Sequence, residues 1–260
     1  MLSREGRLGR AMQRRWTDAE TAYHAKILES LPQDPDALLL DVGCDDGEWT
    51  EEVRRKLGVR PRQVYGLEIV DERAALARRR GFDVATGDLD DPWPFEDAAF
   101  DVVHANQVIE HVVRLDHFVA ELRRVLAHDG VAVVCTENLA SWHNVAAVAL
   151  GYQPFSLTNV SSLRPIGNRF ALHAGEPSSL GESWQHVHVL TLAGLCDVFA
   201  VHGFGIVSSW GTGYYPFGKR VASVLAAGDP RHSHFVGLIA RRPSAARAGR
   251  GGRRLLPAGS

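Results

Sequence analysis

The chain reads as an α/β fold: a seven-stranded, mostly parallel sheet with helices on both faces and an insertion after the fifth strand. Three observations predict this class. A buried apolar run at 38–40, ending in Asp41, passes through a glycine-punctuated turn directly into helix-compatible residues 48–57. Short β-rich runs then alternate with helical periodicities as far as residue 136, the pattern of strands joined by crossover helices. Two further β-like runs, 206–210 and 235–240, complete the sheet after the insertion.

The elements follow in order. A helix spans the N-terminal segment 1–32 and runs toward Leu31, with Arg4, Arg7, Arg10, Arg14 and Arg15 on its solvated face. After the first strand and helix, residues 63–68 form a second strand ending in Glu68. The helix at 71–80 opens with acids and closes with arginines, as the helix dipole favours. A third strand at 82–88 ends in Asp88 and Leu89, and a fourth runs from Phe100 to Asn106. Leu115, Phe118, Val119, Leu122, Val125 and Leu126 recur at helical spacing, and a turn is expected at Asp129-Gly130. Residues 131–136 make the fifth strand, and 191–203 make a helix ending in glycine. The core domain is therefore 33–242. Residues 139–190 are expected as an inserted cap beside the carboxyl edge of the sheet, where open α/β sheets bind ligands. Trp142, Tyr152, Phe155, Phe170 and Trp184 would wall it. The Arg- and Gly-rich stretch 243–260 reads as a disordered basic tail.

The chemistry concentrates after the first strand, where Asp41, Asp45 and Asp46 line the turn. Carboxylates there oppose a pyrophosphate by like-charge repulsion and suit a ligand with a cationic group and hydroxyls. The dinucleotide pattern G-x-G-x-x-G also fails at Asp45 and Glu48. Asp41-Val-Gly43-Cys44-Asp45-Asp-Gly47 resembles the cofactor loop of class I S-adenosylmethionine (SAM) methyltransferases, D/E-x-G-x-G-x-G, with Asp45 in place of the middle glycine. The stretch from Trp93-Pro-Phe95 through Phe100-Asp-Val-Val to Glu110-His111 resembles the same family, in its small-molecule type 11 branch.

That resemblance implies a Rossmann-like sheet whose last strand is antiparallel, with SAM as cofactor. It places Asp41, Gly43, Cys44, Asp45 and Gly47 in the cofactor loop, Glu68 and Ile69 at the ribose, Asp88 and Leu89 at the adenine, and Asn106 at the end of the fourth strand. It also implies that the N-terminal helix covers the cofactor. A methyl transfer asks for in-line alignment, and such positioning can supply roughly 7–11 kcal/mol. His111 and His143 are the candidates for a general base. His186 and His188 form a His-x-His pair, but no third ligand is apparent, so no metal is expected.

A small-molecule acceptor methylated on oxygen, nitrogen or carbon is the expected partner. The net charge of −2 over 260 residues gives no pull toward nucleic acid, and the Asn/Asp-Pro-Pro-Tyr/Phe motif of amino-group DNA methyltransferases is absent. An RNA- or protein-directed methyltransferase is the alternative. A catalytically inactive SAM-binding regulatory protein is another, kept open by Asp45. Three dispersed cysteines predict a reducing cytoplasm, the Arg- and Ala-rich composition a bacterial genome, and no apolar run predicts a membrane span.

Overall fold

The computed structural model describes residues 7–171 and 185–244. Helix α1 (Arg7–Ser30) is followed by β1 (Leu39–Val42), α2 (Glu48–Leu57), β2 (Val64–Glu68), α3 (Asp71–Arg79), β3 (Asp83–Thr86) and β4 (Phe100–Asn106). Then come α4 (Leu115–Val125), β5 (Leu126–Glu137), α5 (Trp142–Ala149), α6 (Leu192–Val201), β6 (Gly205–Thr212), α7 (Lys219–Gly228) and β7 (Phe235–Arg241). The seven strands lie in the order β3-β2-β1-β4-β5-β7-β6. β7 runs antiparallel to both of its neighbours, and the pairs from β3 through β5 are parallel. The expected fold class is thereby found, last antiparallel strand included.

Strand alternation divides the core between the two faces. On one face, Leu40, Val42, Val103, Ala105 and Val134 pack with Phe118, Leu122, Leu195 and Phe199 of α4 and α6. On the other, Leu39, Val102, Val133 and Phe235 pack with Val53 and Leu57 of α2, Ala74 and Ala77 of α3, and Ile27 of α1. Ala19, Tyr23, Ile27 and Leu31 recur every fourth residue and are buried, so α1 seats one stripe on the sheet. Because β1 leads outward to β2 and β3 while β4 leads the other way, the chain reverses between β1 and β4. A crevice opens there at the carboxyl ends of the strands, the ligand position of open α/β sheets.

Two differences from the sequence reading have local causes. β5 begins at Leu126 rather than 131, because the Asp129-Gly130 turn is a kink within the strand. Asp129 adopts φ 62° there and its N–H donates to the Arg242 carbonyl at 2.8 Å. Arg242 itself donates through Nη1 to the carbonyls of Arg123, Arg124 and Leu126 at 3.0, 3.0 and 2.5 Å, which fastens the end of β7 to the end of α4. Helix α7 was not anticipated; it buries only Ala222 and Ala226, so its sequence carries a weak apolar stripe. Arg4, Trp184 and residues 245–260, most of the expected tail, lie outside the described residues.

Candidate active site

The loop after β1 is built on left-handed backbone. Gly43 (φ 70°), Asp45 (φ 47°) and Gly47 (φ 78°) all take that conformation. At Gly43 two constraints coincide, since a Cβ there would stand 2.5 Å from Val108 Cγ2. The loop is pinned from the neighbouring strand: Gly43 N–H donates to the Leu67 carbonyl at 2.8 Å, and Asp45 N–H donates to Glu68 Oε2 at 3.0 Å.

Asp41 does not face the crevice. Its Oδ1 accepts from His104 Nδ1 at 2.6 Å and its Oδ2 from Thr50 Oγ1 at 2.5 Å, all three residues being buried. Trp49 donates its indole N–H to His104 Nε2 at 3.3 Å, which leaves the Nδ1 proton for Asp41. Asp41 is thus a brace joining β1, β4 and the start of α2. Cys44 is likewise turned inward, its thiol against Gly66, and burial pushes its pKa up. Sequence reasoning missed His104, Trp49 and Thr50. The one available signal was a histidine interrupting the apolar strand Phe100-Asp-Val-Val-His-Ala-Asn106.

The rim of the crevice gathers the other expected residues. Glu68 is buried at the end of β2, where Oε1 accepts from Val70 N–H at 2.9 Å while Oε2 holds the loop. Burial raises its pKa, and the two backbone donors work against that shift. Ile69 beside it is exposed, and Leu89 packs on the edge of the core. Gly87 N–H donates to the Glu68 carbonyl at 3.0 Å, so the ends of β2 and β3 stay together. Asp88 is exposed and accepts from Asp90 N–H at 2.9 Å. Asn106 closes β4, and its buried Oδ1 has no hydrogen-bond partner among the described residues.

The two candidate bases do not meet. His111 lies beside Glu110 and His186, with ring centroids of the two histidines 4.8 Å apart. His143 sits in a ring cluster with Phe155, Tyr215 and His234, and its Nε2 is 3.4 Å from Ser141 Oγ. Burial pushes both imidazoles down to about 4, helped at His111 by His186. His143 also lines a cavity of about 390 Å³ with Trp142, Tyr152, Phe155, Phe170 and Tyr215. Four of the five aromatics expected to wall the cap therefore line one cavity. The cap is pegged by buried amides, Asn144 Nδ2 donating to the Asn138 carbonyl at 3.0 Å and to Ser156 Oγ at 2.8 Å. A larger cleft of about 650 Å³ lies between α1, β6 and α7 and touches none of the loop residues 41–47.

Comparison with known proteins accords with this geometry. Residues 40–134, from β1 through most of β5, match the family model described as "Methyltransferase domain". These residues form a class I SAM-dependent methyltransferase domain. A probable SAM-dependent methyltransferase of Mycolicibacterium smegmatis is 31% identical over 178 residues, covering 66% of this chain and 62% of that protein. Trans-aconitate 2-methyltransferase of Variovorax paradoxus is 26% identical over 229 residues, covering 84% and 83%. The crystal structure of a SAM-dependent methyltransferase from Mesorhizobium loti superposes with a TM-score of 0.56 at 18% identity, covering 86% of this chain and 98% of that one, and so shares the fold. The chain spans 35% and 62% of the length of two of the curated relatives it matches. No described helix is long and apolar enough to cross a membrane.

The methyltransferase domain's crevice fits its cofactor's chemistry. The unpartnered Asn106 Oδ1 offers an acceptor to an ammonium, and Glu68 retains lone pairs for ribose hydroxyls beyond its two backbone donors. The Asp45 side chain is half exposed and its Oδ1 lies 3.3 Å from Arg73 Nε. Only its left-handed backbone is demanded, and aspartate tolerates that. Asp45→Gly is therefore expected to keep both stability and SAM affinity, while Asp45→Ala loses about 1 kcal/mol of stability. Thermal melts and calorimetric titration check this, and tighter SAM binding by Asp45→Gly would show that the carboxylate obstructs the cofactor.

Proposed function

We propose that this chain transfers a methyl group from SAM to a small-molecule acceptor seated against the described part of the cap, residues 139–171 and 185–190. The observation that carries this reading is the left-handed, carboxylate-anchored loop at the β1/β4 reversal, where Glu68 holds Asp45 N–H at 3.0 Å. The backbone of Gly43, Cys44, Asp45 and Gly47 cradles the amino-acid end of the cofactor. Glu68 and Ile69 take its ribose, Asp88 and Leu89 its adenine, and Asn106 its ammonium. Asp41 serves the same site indirectly by holding the loop in shape.

When bound, SAM supplies an electrophilic methyl group on a sulfonium. The chain's part is to orient the acceptor, exclude water and hold the cofactor still. With both imidazoles near 4, neither His111 nor His143 matches a general base poised near neutrality, so alignment contributes more than proton abstraction. The apolar cavity beside His143 supports a small acceptor, as does the likeness to a trans-aconitate methyltransferase over most of the chain.

Calorimetry tests the cofactor site. The wild type is expected to bind SAM saturably, and Glu68→Ala to lose about tenfold or more in affinity, since it removes the loop anchor and the ribose acceptor together. Absence of binding by the wild type refutes the reading. For the acceptor, incubation with methyl-labelled SAM and bacterial extract should label the small-molecule fraction. Label confined to RNA or protein would overturn the acceptor class.

A further inference from the structure

We propose that Glu110, His111 and His186 form a binding site for a divalent first-row transition-metal ion at the carboxyl edge of the sheet, beside the cap. Glu110 and His111 lie in the loop after β4, and His186 belongs to the extended segment leading into α6. One carboxylate oxygen and one imidazole nitrogen from each histidine all lie within 4.8 Å of one another. Ligand atoms bound to one ion at about 2.0–2.2 Å stand up to about 4.3 Å apart, so small rotations complete the set.

Both imidazoles are oriented for ligation. His111 Nδ1 lies 3.1 Å from the Gln185 carbonyl, and His186 Nδ1 lies 2.6 Å from the Ser156 carbonyl. Donation from each Nδ1 fixes the tautomer whose lone pair is on Nε2, the outer-shell arrangement that ligating histidines use. Glu110 gives an independent sign. It is fully buried, its Oε2 accepts from Thr136 Oγ1 at 2.8 Å, and its Oε1 has no partner among the described residues. A buried carboxylate oxygen without a partner costs free energy that a cation recovers.

The scaffold is held together at the same point. Val187 N–H and His188 N–H both donate to the Glu110 carbonyl, at 2.7 and 3.2 Å. Glu137 Oε2, 3.9 Å from His186 Nδ1, adds negative charge nearby. His188 is not in the cluster, since its Nε2 lies 3.1 Å from the Val113 carbonyl. The His-x-His pairing considered from the sequence is thus replaced by a triad whose other members come from a loop distant in the chain. Two imidazoles and one carboxylate favour manganese, iron, cobalt, nickel or zinc over calcium or magnesium, which prefer all-oxygen sites.

Three protein ligands leave coordination positions open. Ser156, which anchors His186, follows the cavity-lining Phe155, so the open side can meet an acceptor oxygen. That role rests on the proposed methyl transfer; metal binding itself does not.

The test uses tag-free, chelator-stripped protein titrated with Co²⁺, read by visible absorption, and with Zn²⁺, read by calorimetry. The wild type is expected to take up one ion per chain. Affinity should fall roughly tenfold or more in both His186→Ala and Glu110→Gln, and stay unchanged in His188→Ala. Circular dichroism melts identify a variant that fails to fold, and the near-isosteric Glu110→Gln then decides. No saturable uptake by the wild type, or equal affinity in folded His186→Ala and Glu110→Gln, overturns the proposal. SAM titration of the metal-free protein separates the two readings, because retained SAM binding without metal uptake refutes the metal site alone.

Discussion

Asp41→Ala is expected to cost about 3–5 kcal/mol of folding stability, a large share of what a single domain possesses. The substitution leaves the buried donor His104 Nδ1–H without its acceptor and Thr50 Oγ1–H with only the more distant Cys44 carbonyl at 3.5 Å, and each such loss costs about 1–3 kcal/mol. Neither donor can turn to water, because His104 and Thr50 are buried. Nor can His104 change tautomer freely, since Trp49 already donates to Nε2. Asp41→Asn should cost about half as much, because the amide oxygen keeps one of the two donors. Urea denaturation measures both. A loss below about 1 kcal/mol in Asp41→Ala would mean that the carboxylate is not the brace its geometry indicates. Loss of SAM binding in this variant then follows from a disordered loop, so Asp41 is a positioning residue.

Gly43→Ala is expected to cost about 2–5 kcal/mol and to abolish detectable SAM binding. Two separable terms contribute. The left-handed backbone, φ 70°, charges an alanine about 1–2 kcal/mol. The new Cβ, 2.5 Å from Val108 Cγ2, adds an overpacking cost of about 1–3 kcal/mol. The double variant Gly43→Ala/Val108→Ala removes the clash and keeps the backbone strain. A double-mutant cycle should therefore show a favourable coupling of about 1 kcal/mol or more. Additivity would place the whole cost in the backbone and remove Val108 as the wall of the loop.

Both expectations locate the same division of labour. The residues the motif names as cofactor contacts separate into those that can touch a ligand and those that shape the loop. Glu68 does both, holding Asp45 N–H while keeping lone pairs for hydroxyls. Asp41 and the Cys44 side chain make internal contacts that shape it.

Much of this molecule was legible in one dimension because the signals were local. A strand buried on both faces is a continuous apolar run, so β1 announced itself, and a glycine that must adopt positive φ stands out in sequence. The helix at 48–57 was read with its observed bounds because acids at its start, basic residues at its end and Gly58 beyond all act within one or two turns. Helix α7 escaped because two buried alanines make too faint a stripe. Where side chains point was also beyond reach. Asp41 sits on a strand whose faces alternate, and only the packing of β4 alongside brings His104 to its carboxylate.

The same limit governed the histidines. His186 and His188 are two positions apart in sequence, yet His188 reaches the Val113 carbonyl while His186 turns to the Ser156 carbonyl. His186 meets His111 and Glu110, 75 and 76 positions earlier, only because β4 and the segment before α6 converge at the sheet's carboxyl edge. The sequence by itself determined the fold class, the glycine-and-acid loop and the family, since those follow from short-range periodicity and backbone conformation. Only the tertiary structure decided that Asp41 braces, that Asp45 turns to solvent and that a Glu-His-His cluster exists, because each depends on contacts between segments far apart in the chain.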